Sequence, residues 1–407
     1  MISISHRRRF RTLAIVVCIL LFFPVLCAGA EETTITVRIL EKHVHDLFTL
    51  SSAEGLNVVI DSAVSAPSGP VILSSTAGGF DLTMGDGTTF LPRGERAVFT
   101  PFVPDEPITV AIEEPSLTRS YRGDIVVTFD EAGPIIVNRV CLSDYLASVV
   151  GGEMGGDEEA ALMAQAILSR TWVLTHLNAH DTADLCDLTH CQSYTGVETE
   201  TPAAVRATKK TEGLIMTYQG EPAMVFYHAC AGGMTTSPEY VWNGPEIPYL
   251  VPVVELYRGR DLTAGSPHRL WEWRVGADEL LDMLSASFGE TYDTVSVSER
   301  DPSGRAMRVL LSGEKDRIVT GEELRIAVGR EFGWGCLKST LFDVKVEGGE
   351  YVFFGKGLGH GVGLSQWGAM ELARSGLTAE EIVLFYFPNT EIVPLSDPFG
   401  SAPISKR

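Results

Sequence analysis

Glu153 stands between two glycine pairs, Gly151-Gly152 and Gly155-Gly156, with Met154 beside it. Glycines on both sides let the backbone turn sharply and let a bulky ligand come close. Met154 and nearby apolar helix faces can take water away from the carboxyl. That raises its pKa and keeps it protonated, as a general acid must be. The plainer alternative is an exposed acid in a flexible loop, where most acids sit.

Three further groups carry chemistry-bearing side chains. In Gly357-Leu-Gly-His360-Gly-Val-Gly363-Leu-Ser365-Gln366, four glycines surround one imidazole, and a hydroxyl and an amide follow. Such a loop can wrap a ligand, or it can be a structural turn around a core histidine. It lacks the Gly-Lys-Ser/Thr ending of a phosphate loop and the βαβ setting of a dinucleotide fingerprint. Phe226-Tyr-His228-Ala-Cys230-Ala-Gly232-Gly233 ends a strand on a histidine. This places His228 either at a cleft edge or half-buried in a turn. Finally, His180-x5-Cys186-x3-His190-Cys191 offers two thiols and two imidazoles within twelve positions, a donor set suited to tetrahedral zinc, with His176 as a spare ligand. Adjacent His190 and Cys191 need a turn to converge on one ion. A Cys186–Cys191 disulfide is the other reading, and it leaves the histidines unexplained.

The elements around these residues read as α+β. Short β-branched runs at Val71-Ile-Leu, Val98-Phe-Thr, Ile108 to Ile112 and Ile125 to Phe129, after an alternating Thr33 to Ile39, predict a β-rich N-terminal module. Leu142 to Val150 predicts a short helix, and Glu158 to His176 a longer one capped by Asp157. Ala203–Thr211, Ala277–Phe288, Gly321–Val328 and Leu377–Phe385 predict further helices, the last capped by Thr378. Leu214–Tyr218, Ala223–His228, Val295–Ser298, Arg308–Leu311 and Tyr351–Phe354 predict strands.

The 407-residue chain is 45% hydrophobic, enough to bury a large core, and carries a net charge of -21. That acidity argues against nucleic acid as a partner, because phosphate contacts need Lys and Arg. Arg7, Arg8, Arg9 and Arg11, an apolar run from Leu13 to Leu26, and Ala28-x-Ala30 read as a cleaved leader over 1–30, with an uncleaved membrane anchor as the alternative. Export implies an oxidising compartment, yet Cys141, Cys186, Cys191, Cys230 and Cys336 are an odd, widely spaced set rather than a disulfide scaffold.

Together these segments resemble the stage II sporulation protein D family, SpoIID, which includes the LytB amidase enhancers. Asn138-Arg-Val-Cys-Leu-Ser-Asp-Tyr145-Leu-Ala-Ser-Val-Val-Gly-Gly-Glu153-Met154 is similar to the family's acid-bearing segment, and Glu159 to Thr171 to its signature helix. Cys191-Gln192-Ser-Tyr194-Thr-Gly196, His228 to Thr235, Leu324-Arg325, Lys338 to Phe342 and His360 to Ala369 follow in the family's order. Gly155-Gly-Asp157 stands where bulkier residues are usual, and Ala229 and Ala231 where hydroxyls are.

The residue patterns divide the chain into a leader (1–30), a β-rich N-terminal module (31–125) and a Pro-, Ser- and Gly-rich flexible tail (396–407), and the resemblance makes the stretch between them (126–395) a SpoIID/LytB-like catalytic region with a glycan-binding cleft. It further implies an exported peptidoglycan lytic transglycosylase of the cell envelope, acting in wall remodelling such as accompanies sporulation. In it Glu153 is the lone acid/base, zinc is held by His180, Cys186, His190 and Cys191, and Gln192, Tyr194, His228, His360, Ser365 and Gln366 line the groove. The alternative is a non-catalytic glycan binder that stimulates a cell-wall amidase.

Overall fold

Period-two alternation decides which strand faces are inside. In Thr34–Arg38, Ile35 and Val37 are buried; in Leu47–Ser51, Phe48 and Leu50; in Ile108–Ile112, Ile108, Val110 and Ile112. The computed structural model describes residues 33–395 apart from 44–46, 61–62, 67–68, 77–78, 86, 91–95, 131–132 and 189. The expected leader and tail lie outside the described residues.

Two sheets are built from the N-terminal strands. One runs, in spatial order, Leu185–Cys186, Thr34–Arg38, Gly133–Cys141, Asp124–Asp130, Arg96–Pro101, Leu56–Ile60, Ala63–Ser65. The other runs Leu117–Tyr121, Ile108–Ile112, Leu47–Ser51, Val71–Thr76, Gly79–Met84, Thr89–Phe90. Their inward residues share one core with the first helices, each fully buried large side chain contributing roughly 1.5–3 kcal/mol. The edge of the first sheet is a two-residue strand that carries Cys186, parallel to Thr34–Arg38. The histidine–cysteine segment is thus pinned to the N-terminal strands.

Helices α1 (Leu142–Glu153), α2 (Glu159–His176) and α3 (Pro202–Lys210) follow, with α1 and α2 packed against each other and both against α3. A short helix, α4 (Pro238–Trp242), precedes a second core around α5 (Ala277–Phe288) and α6 (Gly321–Phe332). Two three-stranded sheets complete that core. One orders Trp271–Gly276, Glu350–Gly355 and Phe342–Glu347, and the other Tyr292–Arg300, Ala306–Gly313 and Arg317–Thr320. The chain then returns to the first core with α7 (Gln366–Arg374) and α8 (Ala379–Tyr386), which lie against α2. The architecture is α+β.

Four expectations are corrected. Glu153 is not in a glycine loop but closes the last turn of α1. Gly151 permits this extension, because a Cβ there would lie 1.9 Å from the Thr199 carbonyl oxygen. Glu158, not Asp157, is the N-cap of α2, without a side-chain capping bond. The strand expected over 223–228 shortens to Tyr227–His228, and α7 was not anticipated. Thr378 caps α8 as expected, in a reciprocal capping box with Glu381.

Candidate functional site

Two separate sequence motifs meet as a pair of parallel strands. Tyr227–His228 pairs with Leu364–Ser365, and single bridges join Cys230 to Leu358, Thr236 to Val362 and Ser339 to Gly359. The glycine spacing of the His360 loop follows from its backbone. Gly357, Gly359, Gly361 and Gly363 have φ of 80, 100, 85 and 73°, in the left-handed region that side chains avoid. A Cβ on Gly363 would also meet the Phe226 carbonyl oxygen at 2.1 Å.

Glu153 is half-buried, and burial and two hydrogen-bonding groups govern its proton. Burial raises its pKa above the ordinary carboxylate value. The Ser193 backbone N–H, donating to Oε1 at 2.8 Å, and the Gln366 side-chain amide pull it back down. Gln366 is aimed by its place at the start of α7, whose N-cap is Ser365. The Ser365 hydroxyl accepts from the Ala231 and Gly368 amides at 3.2 and 3.4 Å, and it hydrogen-bonds the buried Glu255 carboxyl. Glu255 also accepts from the Tyr386 hydroxyl at 3.0 Å. The charge of Glu153 also reaches buried Tyr227, whose hydroxyl accepts from Gln192 Nε2 at 3.0 Å.

The expected groove-lining set divides. His360 keeps some surface. Gln192, Tyr194, His228 and Ser365 are buried, with exposures of 0, 1, 5 and 0%. Gln192 accepts from Tyr145 at 3.1 Å, and the Tyr194 hydroxyl donates to Asn138 at 2.6 Å. His228 and His360 lie with ring centroids 5.4 Å apart, and burial holds both below the ordinary histidine value, His360 at about 4. Both are therefore neutral near pH 7. Gln366 is also largely buried, turned toward Glu153. Sequence reasoning missed Ser193 and Tyr227. Ser193 acts through its backbone, which its residue type does not reveal, and Tyr227 was legible only as a residue of the strand that ends at His228.

The other cluster does assemble. His180, Cys186, His190 and Cys191 bring four donor atoms within 4.8 Å of one another. His180 Nε2 lies 3.2 Å from Cys191 Sγ, Cys186 Sγ 3.2 Å from His190 Nε2, and the two Sγ atoms are 3.5 Å apart, as thiols rather than a disulfide. The turn that adjacent His190 and Cys191 required is present, with the Cys191 amide donating to the Leu188 carbonyl at 2.9 Å. Asp184 accepts from the Thr36 amide and hydroxyl at 2.9 and 2.7 Å, and Asp187 from the Leu40 amide at 2.7 Å, so two carboxylates stitch this loop to the first strand. His176 stands apart, stacked on Trp172 at 4.0 Å.

Residues 131–218, which carry α1, α2, the four-donor loop and α3, match the family model for the stage II sporulation protein. The chain belongs to the SpoIID/LytB family. Membership supports a cell-wall-related function. Among relatives of this SpoIID/LytB chain, stage II sporulation protein D of Bacillus subtilis is 26% identical over 274 residues, covering 63% of this chain and 75% of the relative. An uncharacterised protein of Brachyspira hyodysenteriae is 29% identical over 279 residues, covering 67% and 72%. The amidase enhancer of Bacillus subtilis is 25% identical over 277 residues, covering 57% of this chain and 38% of the enhancer. The second core, over residues 270–363, matches a domain of unknown function. Among the described residues no helix is long and apolar enough to cross a membrane.

Proposed function

We propose that this chain is a peptidoglycan lytic transglycosylase, acting outside the cytoplasmic membrane, with Glu153 as its single acid/base. The observation that carries the reading is the setting of that carboxyl. It is half-buried and raised in pKa, and it is oriented by the Ser193 and Gln366 amides. The protonated acid donates to the oxygen that joins N-acetylmuramic acid to N-acetylglucosamine, and the leaving sugar departs. The resulting carboxylate then takes the proton of the muramyl 6-hydroxyl, whose oxygen closes the anhydro ring. One group serves both steps, whereas glycoside hydrolases pair two carboxylates. No second carboxylate stands among the groups that set the Glu153 proton affinity. The two amides stabilise the charged form that exists between the steps.

Zinc fits the four-donor loop. Tetrahedral coordination by two thiolates and two imidazoles needs donor–donor edges of about 3.3–3.8 Å; three of the six edges here are 3.2–3.5 Å and all four donors lie within 4.8 Å of one another. With all four positions filled by protein, such an ion would brace the loop that presents Ser193, rather than activate water.

A second reading, a non-catalytic glycan binder that stimulates a cell-wall amidase, draws on the similarity to the amidase enhancer. Purified glycan strands incubated with the parent protein and with Glu153→Gln separate the two. The parent is expected to generate anhydro-muramyl ends and the variant none. Equal products from both would end the assignment to Glu153.

A further inference from the structure

The hairpin turn Asp301-Pro-Ser-Gly-Arg305 is made of turn-forming residues. Asp301 Oδ1 accepts from the Arg305 amide at 2.8 Å and from the Ser303 hydroxyl at 2.7 Å, and Gly304 takes a φ of 86°. The turn joins strands Tyr292–Arg300 and Ala306–Gly313 of the second core, and its last side chain reaches out of those strands to the turn after His228. Arg305 Nη2 donates to the Ala231 carbonyl at 2.6 Å and to the Met234 carbonyl at 3.4 Å. A Cβ on Gly361 would lie 2.4 Å from Arg305 Cζ, so the guanidinium fits against the His360 loop because a glycine stands there. Asp301 Oδ2 accepts from the Thr236 hydroxyl, and the Thr236 amide donates to the Gly361 carbonyl at 2.8 Å. One hairpin turn thus clasps both glycine-rich motifs.

Stability alone does not account for Arg305. It is 1% exposed, and its Nε and Nη1 have no hydrogen-bond partner among the described residues. Its charge is balanced through space by Asp301, Glu255 and Glu322. An apolar side chain of similar volume often serves a fold as well as a buried charge or better. What the guanidinium adds is direction. Ala231 has no polar side chain, so its backbone carries the contacts: its carbonyl accepts from Arg305, and its amide donates to Ser365 Oγ at 3.2 Å. Ser365 caps α7, and the Trp367 amide in the first turn of α7 donates to the Ala229 carbonyl at 3.0 Å. The turn over 229–231 therefore sets the start of α7, where Gln366 meets Glu153.

We propose that Arg305 is a positioning residue for the Glu153 acid: from the second core it fixes the Ala231 turn, and through Ser365 it holds Gln366 on the carboxyl. The inference rests on the reading of Glu153 as the acid. It gives the second core a part in the chemistry of the first. The charge of Arg305 is not among the influences on the Glu153 proton, so a change at Glu153 caused by replacing Arg305 travels by way of Gln366.

The test follows isotope-labelled glutamate carboxyls of the full chain by NMR, the Glu153 signal being the one that Glu153→Gln lacks, alongside pH profiles of glycan cleavage. Arg305→Met removes the donors at similar side-chain length. Its Glu153 should titrate at higher pH than the parent's, the alkaline limb of the rate should move the same way, and the rate should fall about tenfold. The Arg305→Met/Gln366→Leu double variant should match Gln366→Leu alone, because the two residues lie on one path. Arg305→Lys keeps the charge and loses the fork. It should move the Glu153 midpoint in the same direction by less, and it decides the matter if Arg305→Met does not fold. A folded Arg305 variant whose Glu153 titrates as in the parent overturns the proposal and leaves the reading of Glu153 intact. So does a lower rate with the alkaline limb unmoved, or a double variant whose loss is the product of the two single losses, since either marks a purely structural role. A parent that cuts no glycan, but whose Glu153 midpoint still moves when Arg305 is replaced, keeps the positioning path and ends the transglycosylase reading.

Discussion

The Ser193 amide donates to Glu153 Oε1 at 2.8 Å, and Ser193 lies only two residues beyond Cys191, one of the four converging donors. The proposed metal loop and the proposed acid therefore share a stretch of backbone, and loosening one disturbs the other. Purified protein is expected to contain close to one zinc per chain. Chelation should lower the thermal midpoint, expose Cys186 and Cys191 to alkylation and abolish glycan cleavage. Cys191→Ser should lower the zinc content. Metal-free protein whose Cys186 and Cys191 resist alkylation until reduced would establish the disulfide instead.

Gln366 offers a test of the acid by pH. Its amide favours the charged form of Glu153, while burial favours the neutral form. Gln366→Leu removes the first influence and keeps the second, so the pKa rises further. The first step needs the protonated acid, so the alkaline limb of the rate profile should move to higher pH. The rate itself should fall about tenfold as the carboxyl loses its orientation. An alkaline limb left in place would show that Glu153 is not the group titrating.

The glycines around Glu153 have unequal roles. A Cβ on Gly151 would lie 1.9 Å from the Thr199 carbonyl, whereas one on Gly155 meets nothing within 4 Å. Gly151→Ala must push α1 off the 196–199 turn, to which it is tied by Ser148 Oγ donating to the Gly196 carbonyl at 2.7 Å. The expected loss is about 1–3 kcal/mol, while Gly155→Ala should stay within roughly 0.5 kcal/mol. Urea melts of the two variants check this, and equal midpoints would contradict the packing described.

Legibility in the sequence followed how local each signal was. The helix over Ala277–Phe288 and the Thr378 cap were readable because periodicity and capping are carried by neighbouring residues. The four-donor cluster was readable because its residue types have few other uses. The register of Tyr227–His228 against Leu364–Ser365 was not, since it joins strands more than a hundred residues apart. Nor was the burial of Gln192 and Tyr194, polar residues whose partners Tyr145, Tyr227 and Asn138 come from other elements. α7 was hidden by the glycines around it. Its cap, Ser365, was read as a ligand contact because a hydroxyl beside a histidine suggests chemistry before it suggests a helix start.

The two neutral histidines make acid the weak side of the fold. His360 is held at about 4, against an ordinary value near 6.5, by burial and by Arg325 and Arg305, with Glu322 opposing, and His228 is displaced in the same direction. Each excludes a proton that the unfolded chain accepts. Their contribution is therefore complete above about pH 6.5 and is lost as the pH falls toward 4, by roughly 2–3 kcal/mol at most for His360. The thermal midpoint should drop over that interval. His360→Asn keeps an acceptor for the Val362 amide, which now donates to Nδ1 at 3.0 Å, but cannot titrate. Its midpoint should be lower than the parent's near pH 7, yet fall less steeply on acidification. Parallel curves for the two proteins would place the acid sensitivity in other groups.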